Sequence, residues 1–294
     1  MIYTLRNKHL EVHIDHPLIN YQSSRFDWTG KISEIKYRGL PMTITEKPDG
    51  ENENVYGKGL YNEFSMDTAL GFNEAQVGEW FHKIGVGLLK KDSPDYEFFR
   101  DYEIKPAQFD VLVEVDRIKI ECLSHHMNGY EYRLLKEVVL EDEKLIINYS
   151  LENTGYKIIE VEEYVHNFMA INAERVDSKY QLRFPFHLHS GNASQLVDPD
   201  DILDIGKDEI KFKSRTENQF FTSYLNGEKR VESGWELIHL DQKVGIRETT
   251  SFPTNKVNIW GWKHVISPEL FHEFKLIPGD TEDWSRTYQF FQFN

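Results

Sequence analysis

Along most of this chain apolar and polar positions alternate with a period of two, the spacing that turns one face of an extended strand toward a core and the other toward water. The segment Phe109 to Ser124 (FDVLVEVDRIKIECLS) carries that alternation on β-branched residues and breaks it once, at Asp116-Arg117, which predicts two strands joined by a tight polar turn. The Asn128-Gly129 pair that follows suits a type I′ turn, because both central positions of such a turn require positive φ. Tyr132 to Leu140 and Leu145 to Leu151 repeat the scheme across the charged tip Glu141-Asp142-Glu143-Lys144, and Asn153-Thr154-Gly155 closes the second strand. Phe220 to Leu225, Trp235 to Leu240 and Val244 to Thr249 read the same way. Helical periodicity is hard to find, so the pattern predicts an all-β chain built as a meander of antiparallel strands.

Two stretches depart from this rhythm. Asp198 to Arg215 is acidic and then basic; it reads as a short helix or a surface crossing and carries no assigned function. Glu46 to Gly59 (EKPDGENENVYGKG) is rich in Pro, Gly, Asn and Glu and reads as a mobile loop rather than a linker, because strand-like segments lie on both sides of it. With no composition break and no internal repeat, residues 1–294 are expected to form one domain, a size that large antiparallel architectures reach.

Composition and charge narrow the function classes. Hydrophobic residues at 39% supply enough material for a sizeable core, which sets the chain apart from disordered polypeptides. A formal net charge of -15 argues against tracking a nucleic-acid backbone, which needs clustered Lys and Arg, and weighs against a phosphorylated substrate. No run of about 18 apolar residues is present, and none follows the positive charges at Met1 to Lys8, so neither membrane spanning nor secretion is expected. Cys122 is the only cysteine, which excludes an intrachain disulfide and fits a cytoplasmic compartment, with a packing role for the thiol. Nothing in the sequence decides between a monomer and a homodimer.

Several chemical motifs are absent or weak. There is no G-x-x-x-x-G-K-[ST] loop, and Gly57-Lys58-Gly59 lacks the strand and helix context of a nucleotide site. A G-x-S-x-G elbow is also missing. His125-His126 and His187-x-His189 have an unspecific spacing with no third ligand indicated, so no metal is expected and the histidines read as surface or core residues. What stands out is a set of segments rich in residues that handle sugars: Gly59 to Phe64, Gly78 to Gly87, Glu163 to Phe168 and Ile259 to Glu269. A sugar needs apolar plates for its C–H faces and hydrogen-bonding groups for its hydroxyls, and Trp, Asn, His, Lys and Glu supply both. Each segment taken alone also reads as structural, Trp260 and Trp262 as sheet-face residues above all.

Taken in order, the segments resemble the galactose mutarotase-like family, aldose 1-epimerases in particular, over nearly the whole chain. Phe26 to Ile35 is similar to the family's early strand pair, Tyr164-Val165-His166-Asn167-Phe168 to its His-x-Tyr-Phe-Asn segment, and Ser267-Pro268-Glu269 with Pro278-Gly279-Asp280 to its last strands. The resemblance implies a large antiparallel β-sandwich, or supersandwich, that binds a small-molecule sugar on one broad sheet face and interconverts its α and β anomers without a cofactor. It maps the general acid to His166 and the general base to Glu269. Asn62, His82, Lys83, Asn167, Trp260 and Trp262 become the expected substrate contacts, and strand alternation allows only one of His82 and Lys83 to face the cleft, with Lys83 favoured. Gly59-Leu60-Tyr61-Asn62-Glu63-Phe64 stands where the better-known mutarotases carry an arginine-containing segment, and it has no arginine, so a sugar contact is missing or replaced. A non-catalytic sugar-binding or sensing module on the same fold is the alternative reading. A polysaccharide lyase or hydrolase on a related sandwich is a third, for which no base is singled out.

Overall fold

The computed structural model describes residues 1–47, 55–189 and 195–294. Two large sheets face each other. The front sheet runs Ile2–Arg6, Leu10–Asp15, Lys31–Tyr37, Leu60–Phe64, Ile159–Asn167 and His272–Leu276, with the short Leu40–Pro41 on one side. The back sheet runs Leu203–Ile205, Glu209–Phe212, Tyr180–Arg183, Gly234–His239, Val244–Thr250, Thr281–Gln292, Lys144–Asn153, Tyr132–Glu141, Arg117–Leu123 and Gln108–Val113. Every strand pair is antiparallel, and the described residues include no α-helix, only the 3₁₀ turn Ile171–Ala173.

The hairpins predicted from alternation are present. Gln108–Val113 pairs with Arg117–Leu123, and Tyr132–Glu141 with Lys144–Asn153 in unbroken register. Asn128 and Gly129 both adopt positive φ, 54° and 83°, between bridged Met127 and Tyr130, as a type I′ turn demands. Asp198 to Arg215 is corrected: it contains neither a helix nor a plain surface crossing but the hairpin Leu203–Ile205 and Glu209–Phe212, which extends one edge of the back sheet. Alternation there covers only three or four residues, and the charges at the edge mask it.

Between the sheets lies a continuous core to which Val12, Ile35, Leu60, Phe64 and Val165 contribute from the front and Leu134, Leu145, Ile147, Ile246 and Phe290 from the back. Cys122 is buried in it. The same interlayer encloses a polar network. Arg286 donates to Glu163 (2.8 Å) and Glu248 (2.7 Å), all three fully buried, and Lys136 donates to Asn62 Oδ1 at 2.6 Å.

A second, mostly aromatic cluster covers the outer side of the front sheet and includes Tyr21, Phe26, Trp28, Tyr61, Phe81, Tyr102, Phe168 and Val265. Leu60–Phe64 is consequently buried on both faces. Gly59 leads into it with φ +63°, and a Cβ there would stand 2.1 Å from the Ile32 carbonyl oxygen, so only glycine lets the two strands close up. Two smaller sheets flank this outer side: Trp80–Lys83, Gly87–Lys90 and Ile104–Pro106, and the four-stranded set Leu196–Val197, Phe220–Thr222, Val257–Trp262 and Val265–Leu270.

Candidate active site

Strand alternation sorts the site residues before any chemistry does. On Ile159–Asn167, Val165 and Asn167 point into the interlayer, while Tyr164 and His166 point outward. Across the register, Tyr164 lies opposite Glu63 and His166 opposite Tyr61. On Val265–Leu270, Ile266 and Leu270 join the core, so Ser267 and Glu269 share the outward face. The two strands belong to different sheets. They are held together where Met169 exchanges backbone hydrogen bonds with Ile266 (3.1 and 3.0 Å), and where Asn167 Nδ2 donates to the Pro268 carbonyl at 2.6 Å.

This junction brings His166 Nε2 to 3.5 Å from Glu269 Oε1, both side chains almost fully buried. Ser267 Oγ bridges them, 2.8 Å from His166 Nδ1 and 3.4 Å from Glu269 Oε1. The imidazole stacks on Phe168 (4.2 Å between centroids) and meets the edge of Trp260 at 5.1 Å, which fixes its plane. The pair sits on the floor of a cavity of about 610 Å³, walled by Trp260, Trp262 and Phe221 on one side and Phe98, Phe99 and Arg25 on the other. A larger open groove of about 820 Å³, lined by Ser65 to Gly71, Glu160, Glu162 and Glu273, holds no such pair and no imidazole.

Burial controls the protonation of the pair. Desolvation pushes the Glu269 carboxyl up to about 8, against the opposing pull of the Arg25 charge, and it holds His166 well below the ordinary imidazole range, with Arg25 adding to that depression. Both directions say that the pocket tolerates one proton on the pair and resists a lone charge on either member. A His166 tautomer with Nδ1–H donated to Ser267 Oγ leaves the Nε2 lone pair facing the protonated carboxyl, and it satisfies every contact.

Arg25 was not singled out by the sequence. Its Nε donates to Glu63 Oε2 at 2.9 Å, Nη1 to Glu46 Oε1 at 3.3 Å and Nη2 to the Tyr164 hydroxyl at 3.4 Å, and its guanidinium lies 4.4 Å from the Phe26 ring centroid. The preceding loop is folded around buried Lys31, whose ammonium donates to the carbonyls of Pro17, Ile19 and Tyr21 at 2.7 to 3.0 Å. Burial drops the Lys31 ammonium to about 7. An arginine is thus present at the cavity, supplied by the early loop rather than by residues 59–64.

The remaining expected contacts divide. Trp260 and Trp262 line the cavity. Lys83 is corrected as a cavity residue: it is buried against Glu63 Oε1 at 3.7 Å and the Tyr96 hydroxyl at 3.0 Å and does not line the cavity. His82 is corrected: it points the other way, packed against Tyr130 and Tyr132, and burial lowers it to about 4. Asn62 is also corrected, because its position on Leu60–Phe64 aims it into the interlayer, where it accepts from Lys136 and the Tyr149 hydroxyl and donates to Glu163. Asn167, fully buried, likewise lies behind the cavity and not in it. Of the Glu46 to Gly59 loop, residues 48–54 lie outside the described residues; its ends serve the site, since Glu46 binds Arg25 and accepts from Gly57 N at 2.9 Å.

Among the described residues no group of three or more His, Cys, Asp or Glu stands close enough together to hold a metal ion. His125 instead contacts the Pro106 carbonyl, His126 pairs with Glu131, and His187 is exposed. No described helix is long and apolar enough to cross a membrane.

Comparison with solved structures decides the architecture. The chain superimposes over its full length on a candidate aldose 1-epimerase from Escherichia coli K12, covering 99% of that chain, with a TM-score of 0.65 at 12% identity. A galactose mutarotase-like protein from Lactobacillus casei ATCC 334 is matched over 99% of this chain and 100% of that one, with a TM-score of 0.59 at 12% identity. One from Clostridium acetobutylicum is matched over 100% and 99%, with a TM-score of 0.56 at 13% identity. The fold is the galactose mutarotase-like supersandwich. No protein-family model matches the chain, and no curated protein sequence does. The mutarotase-like architecture therefore rests on the path of the backbone, while the chemistry rests on the residues described above.

Proposed function

We propose that this chain interconverts the α and β anomers of an unphosphorylated sugar by general acid–base ring opening, with His166 and Glu269 as the proton-transfer pair. The carrying observation is the buried approach of His166 Nε2 to Glu269 Oε1, 3.5 Å, on the floor of an aromatic-walled cavity. Ring opening removes a proton from the anomeric hydroxyl and delivers one to the ring oxygen as the C1–O5 bond breaks and C1=O1 forms. In the carboxylate–imidazolium form, Glu269 takes the first proton and His166 gives the second, leaving the acid–imidazole form. After rotation about C1–C2, reclosure runs the two transfers backwards and restores the starting form. One shared proton is enough for the whole cycle, which fits a site that tolerates only one. Arg25 supports a neutral substrate, because its charge is already matched by Glu63 and Glu46 and offers little to a phosphate.

The test is anomer exchange followed by saturation-transfer NMR on a panel of glucose, galactose, uronic and deoxy sugars, with and without the protein. Acceleration of at least one sugar is expected, with His166→Ala lowering kcat by about 10²–10⁴ while the fold is retained. Unchanged turnover in His166→Ala removes His166 from the mechanism. Saturable sugar binding without exchange across the panel replaces the enzyme with a sugar-binding module.

A further inference from the structure

Residues 16–30 join Leu10–Asp15 to Lys31–Tyr37 without forming a strand or a helix, yet they supply two parts of the candidate site. Arg25 walls the cavity, and Phe26 meets the His166 ring edge-on at 6.1 Å and the Phe168 ring at 6.1 Å, with the Arg25 guanidinium lying over it. The second half of this loop is tied to the frame by its own backbone: Asp27 N donates to the Asn62 carbonyl at 2.9 Å and Trp28 N to the Gly85 carbonyl at 3.0 Å.

The first half is held differently. The carbonyls of Pro17, Ile19 and Tyr21 converge on the Lys31 ammonium, at 3.0, 2.7 and 2.7 Å, and Lys31 is only 1% exposed. An ammonium has three N–H donors and no acceptor, so these three carbonyls saturate it. Gln22 Nε2 adds a donor to the Pro17 and Tyr21 carbonyls, at 3.1 and 2.7 Å. Burial opposes the Lys31 charge, Asp15 and Asp27 favour it, and Lys58, 3.9 Å from Asp15 Oδ2, works against it.

From the ammonium to the site the path is short. Tyr21, whose carbonyl Lys31 binds, accepts from Phe26 N on its hydroxyl at 3.0 Å, and its ring packs against Phe26 and Tyr61, each at 5.5 Å between centroids. Phe26 in turn borders His166. The Tyr21 backbone, the Tyr21 hydroxyl and the Phe26 ring thus join Lys31 to the imidazole in series.

We infer that Lys31 is a positioning residue: its ammonium is an internal cation around which the loop carrying Arg25 and Phe26 is built, and through Tyr21 it sets the placement of both beside His166. The effect on turnover rests on the proposed function; the ordering of the loop does not.

Hydrogen exchange read by mass spectrometry, and anomer-exchange NMR, on the parent, Lys31→Met, Lys31→Ala and Tyr21→Phe test this. Lys31→Met keeps the length and removes the donors, so exchange in residues 17–28 is expected to rise at least about tenfold while Tyr132–Glu141 and Lys144–Asn153 keep parental protection. Its kcat/KM for a sugar that the parent turns over is expected to fall about 10- to 100-fold. Lys31→Ala leaves a space the shape of propylammonium, and refolding with that cation is expected to restore protection and turnover in Lys31→Ala and neither in Lys31→Met. Tyr21→Phe, which leaves the ammonium bound, is expected to keep residues 17–21 protected and to lower kcat/KM about three- to tenfold.

Parental exchange of residues 17–28 in both Lys31 variants overturns the inference. So does a rise spread evenly over all strands, a refolded Lys31→Ala that propylammonium does not restore, or a loosened loop with parental turnover. Should neither Lys31 variant fold, Tyr21→Phe decides, and parental turnover there overturns the path from Lys31 to Phe26. A parent that exchanges no anomer of the panel removes the proposed function, and local exchange with its propylammonium rescue then decides the role of Lys31 by itself.

Discussion

At the scale of single residues the site is governed by what burial does to charge. Glu269 is an ordinary acidic residue by sequence, yet desolvation by burial beside His166 lifts its carboxyl to about 8. The pair should work while it holds one proton, so kcat/KM for anomer exchange is expected to fall as pH rises through about 8, where that proton leaves. An acidic limb should lie well below the normal imidazole range, where a second proton arrives. A pH–rate profile measures both; a rate that climbs steadily past pH 9 contradicts a shared-proton pair. The same shift bears on stability. A carboxyl whose folded value is raised favours the native state below its unfolded value of 4.5 and loses that advantage as pH climbs through about 8. Glu269→Gln, which cannot ionise, is therefore expected to be more stable than the parent above pH 8, by an amount on the order of a few kcal/mol, and to be inactive. Urea unfolding at pH 5 and pH 9 checks the sign.

At the scale of elements, the distance between the strand of His166 and the strand of Glu269 is the controlled quantity. No continuous ladder joins Ile159–Asn167 to Val265–Leu270; besides the Met169–Ile266 backbone pair, the carboxamide of Asn167, adjacent to His166, ties them by donating to the carbonyl of Pro268, adjacent to Glu269. The carboxamide is oriented in turn by the Tyr288 hydroxyl at 3.0 Å and by Glu248 at 3.3 Å. Under the proposed mechanism Asn167, buried behind the cavity, acts as a positioning residue. Asn167→Ala is expected to lower kcat about 10- to 100-fold while KM changes less than about twofold, because the cavity walls stay in place and only the reacting groups lose register. A change confined to KM would return Asn167 to the substrate contacts.

Across the whole molecule, the two sheets are joined by a core that is not purely apolar. Arg286 binds Glu163 from the front sheet and Glu248 from the back sheet, with all three side chains fully shielded from water. Removing the cation leaves two carboxylates unpaired in the interlayer, so Arg286→Met is expected to destabilise by about 3–5 kcal/mol, visible as a lowered urea midpoint at neutral pH. The loss should shrink in acid as Glu248, whose carboxyl burial raises, protonates.

The alternating hairpins of the back sheet were legible because each strand has one core face and one wet face, and their turns carry the residues that positive φ requires. Leu60–Phe64 was not legible in that way. Its Asn62 and Glu63 are both buried, one in the interlayer network and one under the cavity, so polarity along the segment does not report exposure, and Asn62 was assigned to the wrong face. Arg25 was missed for a related reason: it sits in a loop of no regular period, beside Phe26 to Gly30, and its meaning comes from Glu63, Glu46 and Tyr164, which are 21 to 139 positions away along the chain.

What the sequence determined alone is the all-β character, the hairpins with their approximate turns and the ordered segments that contain His166 and Glu269, since strand period and turn chemistry act over a few residues. What only the tertiary structure decided is which member of each alternating pair faces the cavity, where the arginine comes from, and how many protons the His166–Glu269 pair keeps. Those depend on packing between residues far apart in sequence and on the loss of water around them, and neither is written in any local pattern.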